Sequence, residues 1–124
     1  MIDLIILAAF VVVNILLALY DAKRIGKGKK ISHALNGAIY LSLVAGAVWF
    51  NRDYFLAGAL LVERLIVFNI SLNLFRDFRW NYISPAPAAL TDKIARAVFG
   101  RNSSLMYAIL VLVLAGLVIC SYLN

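Results

Sequence analysis

The chain has 124 residues, of which 65% are hydrophobic, and 12 Lys and Arg stand against 6 Asp and Glu. Soluble domains carry about 45–50% apolar residues, so this composition, with a mean hydropathy of +0.93, excludes an ordinary water-soluble domain. A lone cysteine, Cys120, excludes an internal disulfide and a cysteine-based metal motif, and no Gly-rich phosphate loop, nucleophile elbow or internal repeat is present. No cofactor or metal site is expected.

Four runs reach the length of about 20 residues that a helix needs to cross a hydrocarbon core of about 30 Å. They lie at about 2–20, 31–50, 54–75 and 104–123. Transmembrane barrel strands would instead show alternating segments of about ten residues. The expected fold is therefore all-α: a polytopic membrane protein in one domain, 1–124, with four transmembrane helices. The first span opens MIDLII, with an acid and no base, and is followed by no small-x-small cleavage site, so it reads as a retained helix and not a signal peptide.

After the first span come Lys23, Arg24, Lys27, Lys29 and Lys30, with two Gly among them. After the third come Arg76, Arg79, Lys93, Arg96 and Arg101, whereas only Arg52 lies between the second and third. The positive-inside rule places both basic loops in the cytoplasm and both termini outside, in a bacterial inner (plasma) membrane, and so large a bias argues against insertion in both orientations. Lys23, Arg24, Lys27, Lys29, Lys30, Arg79, Lys93 and Arg96 are the expected contacts to anionic lipid headgroups. The loops are too short to suggest nucleic-acid binding.

The second span begins with His33, Asn36 and Tyr40, which share one helical face. On another face Ala34, Ala38, Ser42 and Gly46 form a ladder of small residues suited to a close helix neighbour. The third span is the most informative, because it carries Glu63 and Arg64 near its middle and then Asn69, Asn73 and Arg76. On a regular α-helix the last three form one stripe toward the cytoplasmic end, with Asn69 about 9 Å deep. Asn14 and Asp21 of the first span also share a face. Polar groups facing lipid would be costly, so a cluster of Asn14, Asp21, His33, Asn36, Tyr40, Asn69, Asn73 and Arg76 is expected between the first three helices.

Glu63 and Arg64 do not fit that cluster. Adjacent residues point about 100° apart on an α-helix, and both fall off the Asn69–Asn73 stripe. With no other mid-membrane charge in the chain, the expected partner is a second copy, Glu63 of one subunit against Arg64 of another. A water-filled cavity, or a helix distortion near residue 63 that lets the two meet, would serve instead.

Beyond the third span, Trp80 and Tyr82 suit a membrane interface. Pro85 and Pro87 break the helix, and Thr91 is an expected N-cap for a short amphipathic helix at about 90–100 lying in the membrane plane. The fourth span is nearly featureless and is expected to face lipid.

Three functions fit these residues. The first is a non-catalytic oligomeric or accessory membrane subunit whose cytoplasmic polar cluster binds a lipid headgroup or a partner protein. The second is a proton, ion or small-solute channel or transporter using Glu63 and Arg64. The third is an enzyme acting on a lipid phosphate, with His33 as base, Asp21 orienting it and Arg76 or Arg79 on the phosphate.

Overall fold

The structure, a computed structural model, describes residues 2–29, 33–82, 90–100 and 102–124. Lys30, Pro85, Pro87 and Arg101 lie outside the described residues, as do the side chains of His33, Ala34, Leu90 and Thr91, and with them the expected Thr91 cap. Among the described residues the regular structure is entirely helical: α1 (Ile2–Gly26), α2 (His33–Asn51), α3 (Tyr54–Phe75), α4 (Leu90–Phe99) and α5 (Ser103–Leu123). Helices α1, α3 and α5 are long and apolar enough to cross a membrane, while the apolar part of α2, Leu35–Asn51, is shorter.

The first helix runs past the expected boundary near residue 20. Ala22, Lys23 and Arg24 are good helix formers, and nothing in that segment breaks the turn until Gly28. There the chain closes a Schellman motif: Gly28 takes φ of 70°, Gly28 N–H donates to Ile25 O and Lys29 N–H to Arg24 O, both at 2.9 Å. Asp21 is consequently buried within α1 and does not sit at its edge.

The link from α2 to α3 is short. Arg52 takes a left-handed φ of 52°, and Asp53 caps α3 by accepting from Phe55 N–H at 2.9 Å and Leu56 N–H at 3.1 Å. Asp53 Oδ2 also accepts from Ser121 Oγ, 2.5 Å away, and that hydroxyl lies 3.0 Å from Asp3 Oδ2. The start of α1, the start of α3 and the end of α5 are thus tied together at one end of the bundle. Burial works against the charge of Asp53, but donors from Ser121, Leu56 and Phe55 outweigh it and hold the carboxyl below its ordinary value.

Helix α3 is central and packs against α1, α2 and α5. Leu56 and Leu60 of α3, Phe10 of α1, and Tyr40 and Val44 of α2 form the buried core, with Phe10 and Tyr40 rings edge to face at 5.5 Å. The last helix is mostly exposed and packs on one side. It lies along α3, with Ser103, Met106, Tyr107 and Ser121 buried, so only part of its surface is left for lipid. Gly58 permits that approach: a Cβ there would meet the methyl groups of Leu117 at 3.4 Å. The outward faces carry Ile5, Leu16, Leu43, Val111 and Leu112, exposed apolar side chains of the kind a hydrocarbon surround accepts.

Helix α3 is not one regular helix. It is α-helical over Tyr54–Glu63, makes a π-turn over Arg64–Phe68, and is α-helical again over Asn69–Phe75.

Two outcomes follow for stability. Gly58→Ala should leave thermal stability in detergent unchanged or raise it by up to about 1 kcal/mol through helix propensity, whereas Gly58→Leu should lower it by driving α5 off α3. The Asp53 carboxyl binds a proton more weakly in the folded chain than in the unfolded one. Its stabilisation is therefore present above the unfolded value of about 4 and is lost as pH falls through the folded value. Wild-type melting temperature should drop on acidification below about pH 4, and Asp53→Asn, which keeps an N-cap, should lose less over the same range.

Candidate functional site

The polar residues of the three helices fall into two sites, and the π-turn divides them. A π-turn takes in about one residue more than an α-turn, which rotates everything after it by about 100° relative to a continuous α-helix. Tyr40 hydroxyl donates to Leu60 O at 2.5 Å just before the turn. At its far end Asn69 N–H turns to Ile66 O, leaving Leu65 O to accept from Asn69 Nδ2 at 2.8 Å. Asn69 thus serves the distorted backbone, a task that α-helical spacing does not reveal.

Before the turn, Glu63 and Arg64 face α1 and α2. Arg64 Nη1 donates to Asn14 Oδ1 at 3.3 Å and Nη2 to Asn36 Oδ1 at 2.5 Å. Asn36 Nδ2 donates in turn to Asp21 Oδ2 at 2.8 Å, and Asn14 Nδ2 to the Tyr40 hydroxyl at 3.4 Å. The guanidinium also lies 3.6 Å from the centre of the Phe68 ring and 5.0 Å from that of Tyr40. Asn14 reaches the Glu63 carboxyl as well, so the two charged residues sit on either side of one amide. Glu63 is 3% exposed, and its Oε1 is buried with no hydrogen-bond partner among the described residues.

This arrangement corrects, for Arg64, the expectation that the two charged residues lack counterparts within the subunit. Arg64 is satisfied by α1 and α2, and a second copy is not needed to hold it. The physical reason is burial of the guanidinium among amide oxygens and ring faces, with Asp21 one hydrogen bond further on.

After the turn, Asn69, Asn73 and Arg76 do not join that group. They line a cavity of about 320 Å³ between α3, α4 and α5, where they meet Asp92 and Tyr107. Asn73 Nδ2 donates to Trp80 O at 3.0 Å and Tyr82 O at 2.9 Å, folding the segment after α3 back over the helix end. Asp77 makes this return possible with a left-handed φ of 59°, in a second Schellman closure through Phe78 N–H and Asn73 O. Asn81 then bonds Ser103 and Ser104, and Trp80 packs on Tyr107 at 5.5 Å, which places the start of α5 beside the cavity. Arg76 lies 4.8 Å from the Phe78 ring centre.

Helix α4 closes the cavity with Ile94, Ala95 and Phe99, while Val98 is exposed. Lys23, Lys27, Lys29, Arg79 and Lys93 are exposed; Arg24 and Arg96 are half-buried, with Arg24 donating to the Tyr20 hydroxyl at 3.2 Å. A smaller pocket of about 130 Å³ opens between α1 and α2, bounded by Tyr20, Asp21, Arg24 and Asn36. His33 begins α2, and its side chain is outside the described residues, so no part of either site is built on it. Residue patterns missed Asp92 and Tyr107; a signal for Tyr107 exists in its position near the start of the last span, at the depth of Asn73.

Comparison with protein-family models, with curated proteins and with solved structures finds no match for this chain. Its function is read from the two sites.

Arg64→Leu and Asn36→Leu should each destabilise the fold by about 1–3 kcal/mol, because each strands a buried polar partner. The double variant should be less damaging than the sum, with a coupling of at least about 0.5 kcal/mol in a denaturation cycle in mixed micelles. Simple additivity would show that the two side chains act independently.

Proposed function

We propose that this chain is an integral membrane protein of four spans, with both basic loops in the cytoplasm and both termini outside, that works without catalysis by holding a phospholipid beneath α4. The observation that carries this reading is the cavity between α3, α4 and α5. Its walls from Leu65, Leu72, Phe99 and Met106 suit an acyl chain, and Arg76 at its border offers a guanidinium for a phosphate. Arg79 follows on the same connection, and Lys93 and Arg96 lie on α4, the helix that covers the cavity, so these cations are available to anionic headgroups nearby.

The short second helix does not count against a fourth span. Leu35–Asn51 covers about 25 Å at 1.5 Å per residue, and a slightly short span is accommodated by local thinning of the bilayer at modest cost. Exposed Trp49, Phe50 and Tyr54 at the end of α2 and start of α3 suit the opposite interface. As a binding module, the protein would present a lipid-loaded α4 to a membrane partner or to another copy through the exposed face of α2 that holds Ala38, Ser42 and Gly46.

Native mass spectrometry of the purified chain with added phosphatidylglycerol or phosphatidylethanolamine tests the lipid site. The wild type should retain one lipid, and both Arg76→Ala, which removes the phosphate contact, and Ala95→Trp, which fills the cavity from α4, should reduce retention several-fold. Retention unaffected by both substitutions would remove the proposal, and preference between the two lipids would say which headgroup is held.

A further inference from the structure

The lipid site leaves the buried carboxyl of Glu63 without a role. Glu63 is 3% exposed in the middle of α3, and Oε1 has no hydrogen-bond donor among the described residues. An ionised carboxylate with a bare oxygen, in a segment apolar enough to cross a membrane, is disfavoured by several kcal/mol. Two ways exist to satisfy that oxygen: a proton on the carboxyl, or a donor brought to it.

Both are at hand. The groups that face Glu63 are Asn14 from α1 and Tyr40 from α2, and Arg64 is its neighbour in the chain on α3. Helix α5 has no ionisable side chain between Tyr107 and Cys120. Tyr40 is committed, since its hydroxyl donates to Leu60 O and accepts from Asn14. Arg64 is not fully committed, because a guanidinium has five N–H donors, and two of the bonds that hold it are to neutral amide oxygens of Asn14 and Asn36. It sits on a π-turn, a distortion frequent at functional sites.

A chain of polar side chains also leads from the site toward the surface on one side. From Glu63 the polar side chains continue through Asn14, Arg64 and Asn36 to Asp21, and both Asn36 and Asp21 border the pocket that opens between α1 and α2. Toward the Asp53 end, Leu56, Ala59 and Leu60 are fully buried and Phe10 and Val44 nearly so, and they form a dry plug. Among the described residues the polar path therefore has one mouth, and the site it serves is a dead end suited to binding and release.

We infer that Glu63 is a reversible proton-binding site served from the α1–α2 pocket, with Arg64 as the counter-ion of its deprotonated form. In the proton-loaded state the O–H of the neutral carboxyl satisfies the site, and Arg64 rests on Asn14, Asn36 and the rings of Phe68 and Tyr40. When the proton leaves to water in the pocket, the carboxylate draws the guanidinium from Asn36 toward itself, and the link from α3 through Asn36 to Asp21 is released. Proton occupancy is thereby converted into a change in how α2 is held to α1 and α3. This inference is independent of lipid binding under α4, and either can fail without the other.

Glu63 is the only glutamate in the chain, and there is no glutamine, so a carboxyl label on glutamate reports this group alone. The full-length chain labelled with carbon-13 at that carboxyl, in lipid nanodiscs, should show at neutral pH the resonance of a carboxylic acid. Raising the pH should move it reversibly to that of a carboxylate. In Arg64→Leu, which removes the counter-ion, the transition should shift upward by about 1–3 pH units. A carboxylate resonance at neutral pH, or one that never moves while the chain stays folded, overturns the proton site. An Arg64→Leu transition at the wild-type position overturns the role of Arg64, and should that variant not fold, the wild-type titration still decides the site.

Discussion

The widened turn at Arg64–Phe68 is the constraint on which the arrangement of this protein depends. It lets one helix present polar residues to two different sets of neighbours. Where it begins, Glu63 and Arg64 face the amides of α1 and α2; beyond it, Asn69, Asn73 and Arg76 face the cavity under α4. A continuous α-helix of the same sequence would put these groups about 100° apart from where they are, and one set or the other would meet hydrocarbon. The turn is itself stabilised at both ends, by the Tyr40 hydroxyl on Leu60 O and the Asn69 amide on Leu65 O.

Holding a guanidinium inside such a bundle is a problem of desolvation more than of charge pairing. A direct carboxylate partner would have to offset the dehydration of both ions, and buried ion pairs often fail to do so with much to spare. Arg64 instead meets two amide oxygens and two ring faces, with Asp21 acting through Asn36. Arg is suited to this setting because its charge is spread over a plane that can bond at the edge and stack on the face. Asn14, one of the two amides that hold Arg64, also lies at the Glu63 carboxyl, so the state of one residue bears on the other.

At the other end, a single hydroxyl performs a similar service. Ser121 joins Asp53, and through its position Asp3, so that α5 is tied to α1 and α3 outside the apolar region. With Gly58 allowing Leu117 to approach α3, this tie explains why so apolar a helix is nonetheless partly buried. The bundle is closed at the Asp53 end and open near Asp21 and Arg76, which gives it the polarity that both proposed activities require.

Composition, the apolar helices and the positions of the basic residues were legible in the sequence because they depend only on local chemistry: long apolar runs with charges at their ends have few other readings. The end of the short helix near Gly100 belongs to the same class, since caps are decided by neighbouring residues, whereas the first helix runs past its expected end to close at Gly28. The polar residues themselves were also legible as a group, because Asn14, Asn36, Asn73 and Arg64 are costly in lipid wherever they point. Where they point was decided by tertiary structure. Helical spacing assigns directions only while the helix stays regular, and the π-turn is held in place by Tyr40 from another helix, a contact that no pattern within α3 contains.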